Sequence, residues 1–290
     1  MIIGNLTLDE IVMKTKNKVY KGVLGGPPAY SSKPLYSILK VKPKIYTTVG
    51  KDFPEKYENE LKTISKLFIY KVEEPTTRFK LVEENERKLF MLSFSGEIRD
   101  IDFNVDSVYM FSPVYREVRF DYLKKAHTLG LVSLDPQGFL REVNEKGEVK
   151  LNFNSELLKH LKYVDIFRTS LDEFSVLSRG SSIRNFLEKT IKTGCEVSVV
   201  TSSTKVYALK ENIYYEYPAY TDVNVESTTG AGDVFTSIFT YIYSKSSDVE
   251  KALIYAIVAS SFTVETIGPK VIDERKFYVR LKNYMEFLGY

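Results

Sequence analysis

The stretch Ser227-Thr228-Thr229-Gly230-Ala231-Gly232-Asp233 constrains this 290-residue chain more than any other, because a small glycine-rich turn there runs straight into an amphipathic helix. Apolar residues recur at Ala231, Val234, Phe235, Ile238 and Ile242, the spacing of one buried helical stripe. The first amides of such a helix have no partner inside it and carry the positive end of its dipole, so they can receive an anion. Gly230 and Gly232 let the backbone approach that anion closely and take left-handed angles. Asp233 then stands where a carboxylate can accept a proton from an attacking hydroxyl. A Gly-x-Gly before a helix is also a common tight turn, and acidic residues favour first helical turns on dipole grounds alone.

Composition narrows the class. With 43% hydrophobic residues the chain can bury a core as one large α/β domain with a small appendage. Its 41 basic and 38 acidic residues leave a net charge of +3, too little field to imply a nucleic-acid partner. No run of eighteen apolar residues occurs, so no membrane partner is expected. The opening MIIGNLTLDEIV has no basic region ahead of its apolar stretch and reads as a first strand, not a signal peptide. The single cysteine, Cys195, excludes an internal disulfide, suits a cytoplasmic setting and reads as a core residue. His127 and His160 are far apart, which argues against a His/Cys metal site.

Strand patterns at 45–49, 108–112, 130–135, 163–168 and 196–201 alternate with helical patterns at 54–66, 116–128, 155–161 and 182–193. That rhythm predicts a mostly parallel central sheet covered by helices on both faces. A hairpin is expected over 205–209 and 212–217, followed by helices over 231–245 and 249–265, the second apolar nearly all round. Two segments, about 10–23 and 68–94, break the rhythm with the alternation of half-solvated strands, and a polar turn is expected at 83–86. Strands inserted from two places can form a small β lid over one domain spanning 1–290, and the same lid can serve a homodimer.

The heptapeptide at 227–233 resembles the signature Asp-Thr-x-Gly-Ala-Gly-Asp of the PfkB/ribokinase family of small-molecule kinases, with Ser227 in place of the first Asp. The resemblance extends along the chain. It implies a ribokinase-like α/β fold and transfer of the ATP γ-phosphoryl group to a hydroxyl of a sugar or cyclic polyol. Asp233 corresponds to the catalytic base, with Gly230, Ala231 and Gly232 forming the anion hole. Asp9, in Gly4–Asp9, and Gly25-Gly26 correspond to the acceptor side, although Asp9 at a turn can also be a simple cap. Tyr30 replaces the family's substrate-binding Asn, a variant similar to the inositol-kinase branch. Asp135, in Leu134–Arg141, is expected toward the phosphates. Ser170 replaces an Asn, and Glu173 corresponds to the Glu that orders Mg²⁺-bound water; a helix-start carboxylate explains Glu173 equally simply.

On the donor side the resemblance places Thr201 and Ser203, in a loop that lacks the family's glycine, and Ser260 beside the adenine. A monovalent-cation site near 223–225 is a further implication. Arg78 is expected to reach the acceptor from the lid, or else to be a solvated residue on its face. A nucleoside or vitamin-precursor kinase, or a non-catalytic sensor on the same fold, are the rival readings.

Overall fold

The computed structural model describes residues 1–84, 87–103 and 108–290. Nine strands form one sheet, in the spatial order Ile213–Pro218, Lys205–Lys210, Val197–Thr201, Ile166–Ser170, Leu131–Leu134, Val108–Phe111, Ile2–Ile3, Lys44–Gly50 and Lys66–Val72. The seven from Val197–Thr201 onward run parallel, and the first two form an antiparallel hairpin at one edge. Successive side chains leave opposite faces of a strand, and both faces here are buried. Ile2, Met110 and Ile166 enter one core, with the helices Pro27–Leu39, Ala231–Ser246, Val249–Thr263 and Glu274–Leu288. Their neighbours Ile3, Phe111 and Phe167 enter the other, with Phe120–His127, Ser155–His160, Leu171–Ser178 and Ile183–Lys192. Burying each such side chain is worth about 1.5–3 kcal/mol. This is the ribokinase-like α/β architecture expected from the sequence.

A second sheet of four strands stands over the strand ends, in the order Lys18–Gly25, Thr7–Met13, Arg78–Glu83 and Arg87–Ser93. A ribbon of Arg141–Val143 and Val149–Leu151 leans on it, with a bridge between Phe90 and Glu148. The expected lid strands at 10–23 are there. The expected segment 68–94 divides: its first part, up to Val72, pairs in parallel with Lys44–Gly50 as the edge of the main sheet. An edge strand is solvated on one side, with Phe68 and Tyr70 exposed, so it carries the same alternation as a lid strand. Asn85 and Glu86 of the expected 83–86 turn lie outside the described residues.

The helix Pro27–Leu39 begins with two prolines, where a missing N–H costs nothing, and runs on through Pro34, buried in its interior. Cys195 is buried, and burial pushes its thiol up to about 12, as a core residue requires. No described helix is long and apolar enough to cross a membrane.

Candidate active site

Between the lid and the C-terminal ends of the parallel strands lies a cleft of about 870 Å³. Its floor is the start of the Ala231–Ser246 helix. Gly230 caps that helix at φ +82°, a left-handed angle, with no side-chain cap. The Ala231 amide reaches the Thr228 carbonyl at 3.5 Å, and the Val234 amide closes on the Gly230 carbonyl at 3.0 Å. The amides of Gly232 and Asp233 are left with no acceptor among the described residues, which is the anion-receiving arrangement.

The two glycines are fixed by close neighbours. A Cβ on Gly230 would sit 2.1 Å from Tyr30 Cδ1, so the Tyr30 ring packs directly under the turn. A Cβ on Gly232 would sit 2.7 Å from Arg168 Nη1. Arg168 lies in the middle of the buried strand Ile166–Ser170 and pairs with Asp135 at 2.8 Å, both almost fully buried, while its other terminal nitrogen donates to the Thr201 hydroxyl. Its Nε has no partner among the described residues. A guanidinium beneath the positive end of a helix adds to the attraction for an anion there.

Asp233 is half-buried at the cleft floor, and Gln137 Nε2 approaches its Oδ1 at 3.4 Å. Burial, then repulsion from Asp135, pushes its carboxyl up to about 8, against the pull of Arg168 and Arg141. Asp9, on the lid strand Thr7–Met13, lines the same cleft and accepts from the Phe79 amide at 3.3 Å. Burial raises Asp9 to about 6. Gly25 does not line the cleft; a Cβ there would sit 2.2 Å from Asp9 Oδ2, so this glycine makes room for the carboxylate. Gly26, at φ +85°, presses on the Asn5 carbonyl and lines the cleft.

On the far side, Ser170 and Glu173 form a reciprocal cap: the Ser170 amide donates to Glu173 Oε2 at 2.7 Å, and the Glu173 amide to Ser170 Oγ at 3.3 Å. Burial and the nearby Asp135 charge raise Glu173 to about 7. Thr201, Ser203 and Ser260 line the same half of the cleft, with Val206, Tyr220 and Ile257 beside them. Arg78 is not brought in: it pairs with Asp52 and does not line the cleft. Ser227 donates to Glu83 of the lid at 3.2 Å and accepts from the Thr229 amide at 3.3 Å, so it ties the lid to the turn.

Among the described residues no group of three or more His, Cys, Asp or Glu side chains could hold a metal ion by itself. Asp135 is committed to Arg168 and Glu173 to its helix cap. That arrangement fits Mg²⁺ arriving on donor phosphates and keeping its waters, which Glu173 and Asp135, both lining the cleft, would hydrogen-bond.

Three residues with no assigned part in the sequence reading line this cleft: Arg87, Arg141 and Arg168. Two of them leave a signal in the sequence, Arg141 as the end of the Leu134–Arg141 stretch that resembles the family's Asp-Pro-Asn-x-Arg segment, and Arg168 as a charge closing an otherwise apolar run.

Residues 16–275 match the model of the pfkB family carbohydrate kinases. The chain belongs to that family. No curated protein matches the sequence significantly. Among solved structures, a pyrophosphate-dependent kinase in the ribokinase family, complexed with a pyrophosphate analog and myo-inositol, is 23% identical with a TM-score of 0.81, over 94% of this chain and 97% of that one. The ribokinase of Thermotoga maritima is 18% identical with a TM-score of 0.76, over 97% and 98%. The nucleoside kinase of Methanocaldococcus jannaschii is 23% identical with a TM-score of 0.75, over 97% and 98%.

Proposed function

We propose that this pfkB-family protein transfers the terminal phosphoryl group of ATP to a hydroxyl of a sugar or cyclic polyol. The observation that carries the reading is Asp233 in the first turn of a helix with no side-chain cap, on the floor of a cleft that Asp9 and Glu173 also line. Asp9 accepts hydrogen bonds from acceptor hydroxyls and orients one of them toward Asp233. Asp233, once ionised, takes that hydroxyl's proton as the phosphoryl group transfers. The amides of Gly232 and Asp233, with Arg168 beneath, stabilise charge developing on the group in flight. Mg²⁺, when bound with the donor, neutralises phosphate charge.

The lid excludes water, held down by Lys16–Glu226 at 2.7 Å and by the Glu83–Ser227 contact. Val206, Tyr220, Val223, Ile257 and Val264 offer an apolar slot for a nucleobase, which supports ATP. Pyrophosphate as donor is a second reading, favoured by the Arg168 guanidinium packed against Gly232, a strong cation for a compact anion.

A monovalent cation near 223–225, a cytoplasmic setting and a lid-mediated homodimer belong to the same proposal, the last tested by sedimentation. The activity is tested by incubating the enzyme and Mg²⁺ with ATP or pyrophosphate and a panel of inositols, hexoses, ribose and nucleosides. A phosphorylated acceptor seen by mass spectrometry is expected for a sugar or inositol. Phosphorylation confined to nucleosides favours the nucleoside-kinase rival, and binding without product from any acceptor favours the sensor.

A further inference from the structure

The strand Ile213–Pro218 lies at one edge of the main sheet, paired on one side with Lys205–Lys210 and open on the other. A two-residue turn, Glu211 and Asn212, joins the two strands, with Lys210 opposite Ile213. In such a hairpin the residues flanking the turn exchange hydrogen bonds, and the pattern then alternates along the strand. Ile213, Tyr215 and Tyr217 therefore spend their amides and carbonyls inward, and the Ala219 amide, next in that series, reaches the Thr204 carbonyl at 2.8 Å. Tyr214, Glu216 and Pro218 turn theirs outward. The Pro218 carbonyl accepts from the Tyr284 hydroxyl, and a proline has no amide to offer. On the open side, the amides and carbonyls of Tyr214 and Glu216 have no partner among the described residues.

An open edge pairs with another chain unless something guards it. The opposite edge strand, Lys66–Val72, carries two lysines, Lys66 and Lys71. The Ile213–Pro218 edge reads Ile-Tyr-Tyr-Glu-Tyr-Pro, and its one charge, Glu216, is matched by Lys205 at 2.5 Å on the strand behind. Ile213 is 57% exposed, and Phe287 and Tyr290 of the C-terminal segment are 73% and 58% exposed. The Tyr290 and Tyr217 hydroxyls meet at 3.1 Å, which sets that aromatic surface beside the strand.

We propose that this edge is an interface with a second copy of the same chain, the two outer strands pairing antiparallel about a twofold axis at Tyr215. In that register Tyr214 lies opposite Glu216 of the second copy, and each such pair exchanges both of its hydrogen bonds, so every free group on the edge is satisfied. Other registers fail. An axis at Glu216 opposes two like charges and sets Tyr214 against the amide-less Pro218, and an axis at Tyr214 sets Glu216 against Asn212 in the turn. Ile213 then packs across from Tyr217, and the two nine-stranded sheets become one. None of the strand's residues lines the cleft or belongs to the lid, so this interface is separate from a lid contact and does not rest on the kinase reading.

Sedimentation of the full-length protein is expected to show a dimer whose dissociation constant rises about 100-fold or more in Glu216→Pro. That change removes an outward amide from each copy and puts a ring in its place, while the inward bonds of the strand are kept. Glu216→Thr keeps the amide and should remain dimeric, with thermal melts showing that both variants fold. Register is read separately by single cysteines, since Cys195 is buried. A non-hydrogen-bonded pair on the axis brings its Cα atoms to about 4.5 Å, within reach of a disulfide. With copper phenanthroline as oxidant, Tyr215→Cys is expected to form a covalent dimer, whereas Ile213→Cys and Tyr217→Cys, each alone, are not. A wild-type protein that stays monomeric overturns the proposal, as does cross-linking that fails to single out Tyr215→Cys. A dimer that a folded Glu216→Pro leaves intact overturns it too, and assigns the dimer to the lid or another face.

Discussion

Replacing Asp135 by Asn tests the electrostatics of the site more sharply than removing any group that touches substrate. Asp135 is the charge that contributes most to raising Asp233, after burial, and Arg168 is the charge that most lowers it. The pair is 2.8 Å apart, with side chains 2% and 9% exposed, so solvent screens neither. Asp135→Asn removes the repulsion and leaves the guanidinium in place, so the Asp233 carboxyl should ionise more easily. Removing a neighbouring like charge moves a buried carboxyl by about 1–2 pKa units. The pH profile of kcat/KM reports the free enzyme's essential base, and it should rise through a midpoint near 8 in the wild type. In Asp135→Asn that midpoint should fall toward neutrality, whatever happens to the plateau. Adding Arg168→Met removes both charges together and should return the midpoint close to its original place. Arg168→Met alone strands a buried carboxylate and should cost about 3–5 kcal/mol of stability by denaturant titration, most of it recovered in the double variant. A midpoint that stays put, or moves to higher pH, in Asp135→Asn would refute this reasoning.

Gly230→Ala should be severe, because the left-handed angle costs about 1–2 kcal/mol and the new methyl must displace the Tyr30 ring. Turnover should fall by about 100-fold, as when one donor to a transition-state anion is lost, and steady-state kinetics with a thermal melt check both effects. Arg78→Ala should change acceptor and donor KM by less than about twofold, and stability by less than about 1 kcal/mol, since its pair with Asp52 is a partly solvated one. Asp233→Asn should stabilise the protein more at pH 9 than at pH 5. The folded state holds the Asp233 proton up to about 8 and the unfolded chain releases it near 3.8, so ionisation costs the folded wild type progressively across that window and fully above it. Denaturant titrations at the two pH values check the sign.

Much of the fold was legible because its signals are local. The stripe at Val234, Phe235, Ile238 and Ile242 lies in the Ala231–Ser246 helix, and the all-apolar 252–259 run sits in the buried Val249–Thr263 helix. Strand patterns at 45–49 and 196–201 match Lys44–Gly50 and Val197–Thr201 to within a residue or so. Assigning Phe68–Val72 to the lid failed because alternation reports one solvated face and is silent about which sheet owns the strand. The helix Glu274–Leu288 and the ribbon at 141–151 went unread, the one polar on its outer face and the other only three residues per strand.

The site divides in the same way. A turn and the helix it starts are contiguous, so Gly230, Gly232 and Asp233 could be read as a unit. Arg87, Arg141 and Arg168 come from a lid strand, a ribbon and a core strand, and only folding puts them around one cleft. Glu173 shows both of its sequence readings at once, capping its helix while lining the donor half.

Single-turnover phosphoryl transfer at pH 8.5, wild type against Asp233→Asn, addresses the proposed base itself. The expected result is a rate lower by about 10²–10⁴-fold, with donor affinity by calorimetry retained. An Asp233→Asn enzyme that transfers at the wild-type rate would contradict the assignment of Asp233 as the group that takes the hydroxyl proton.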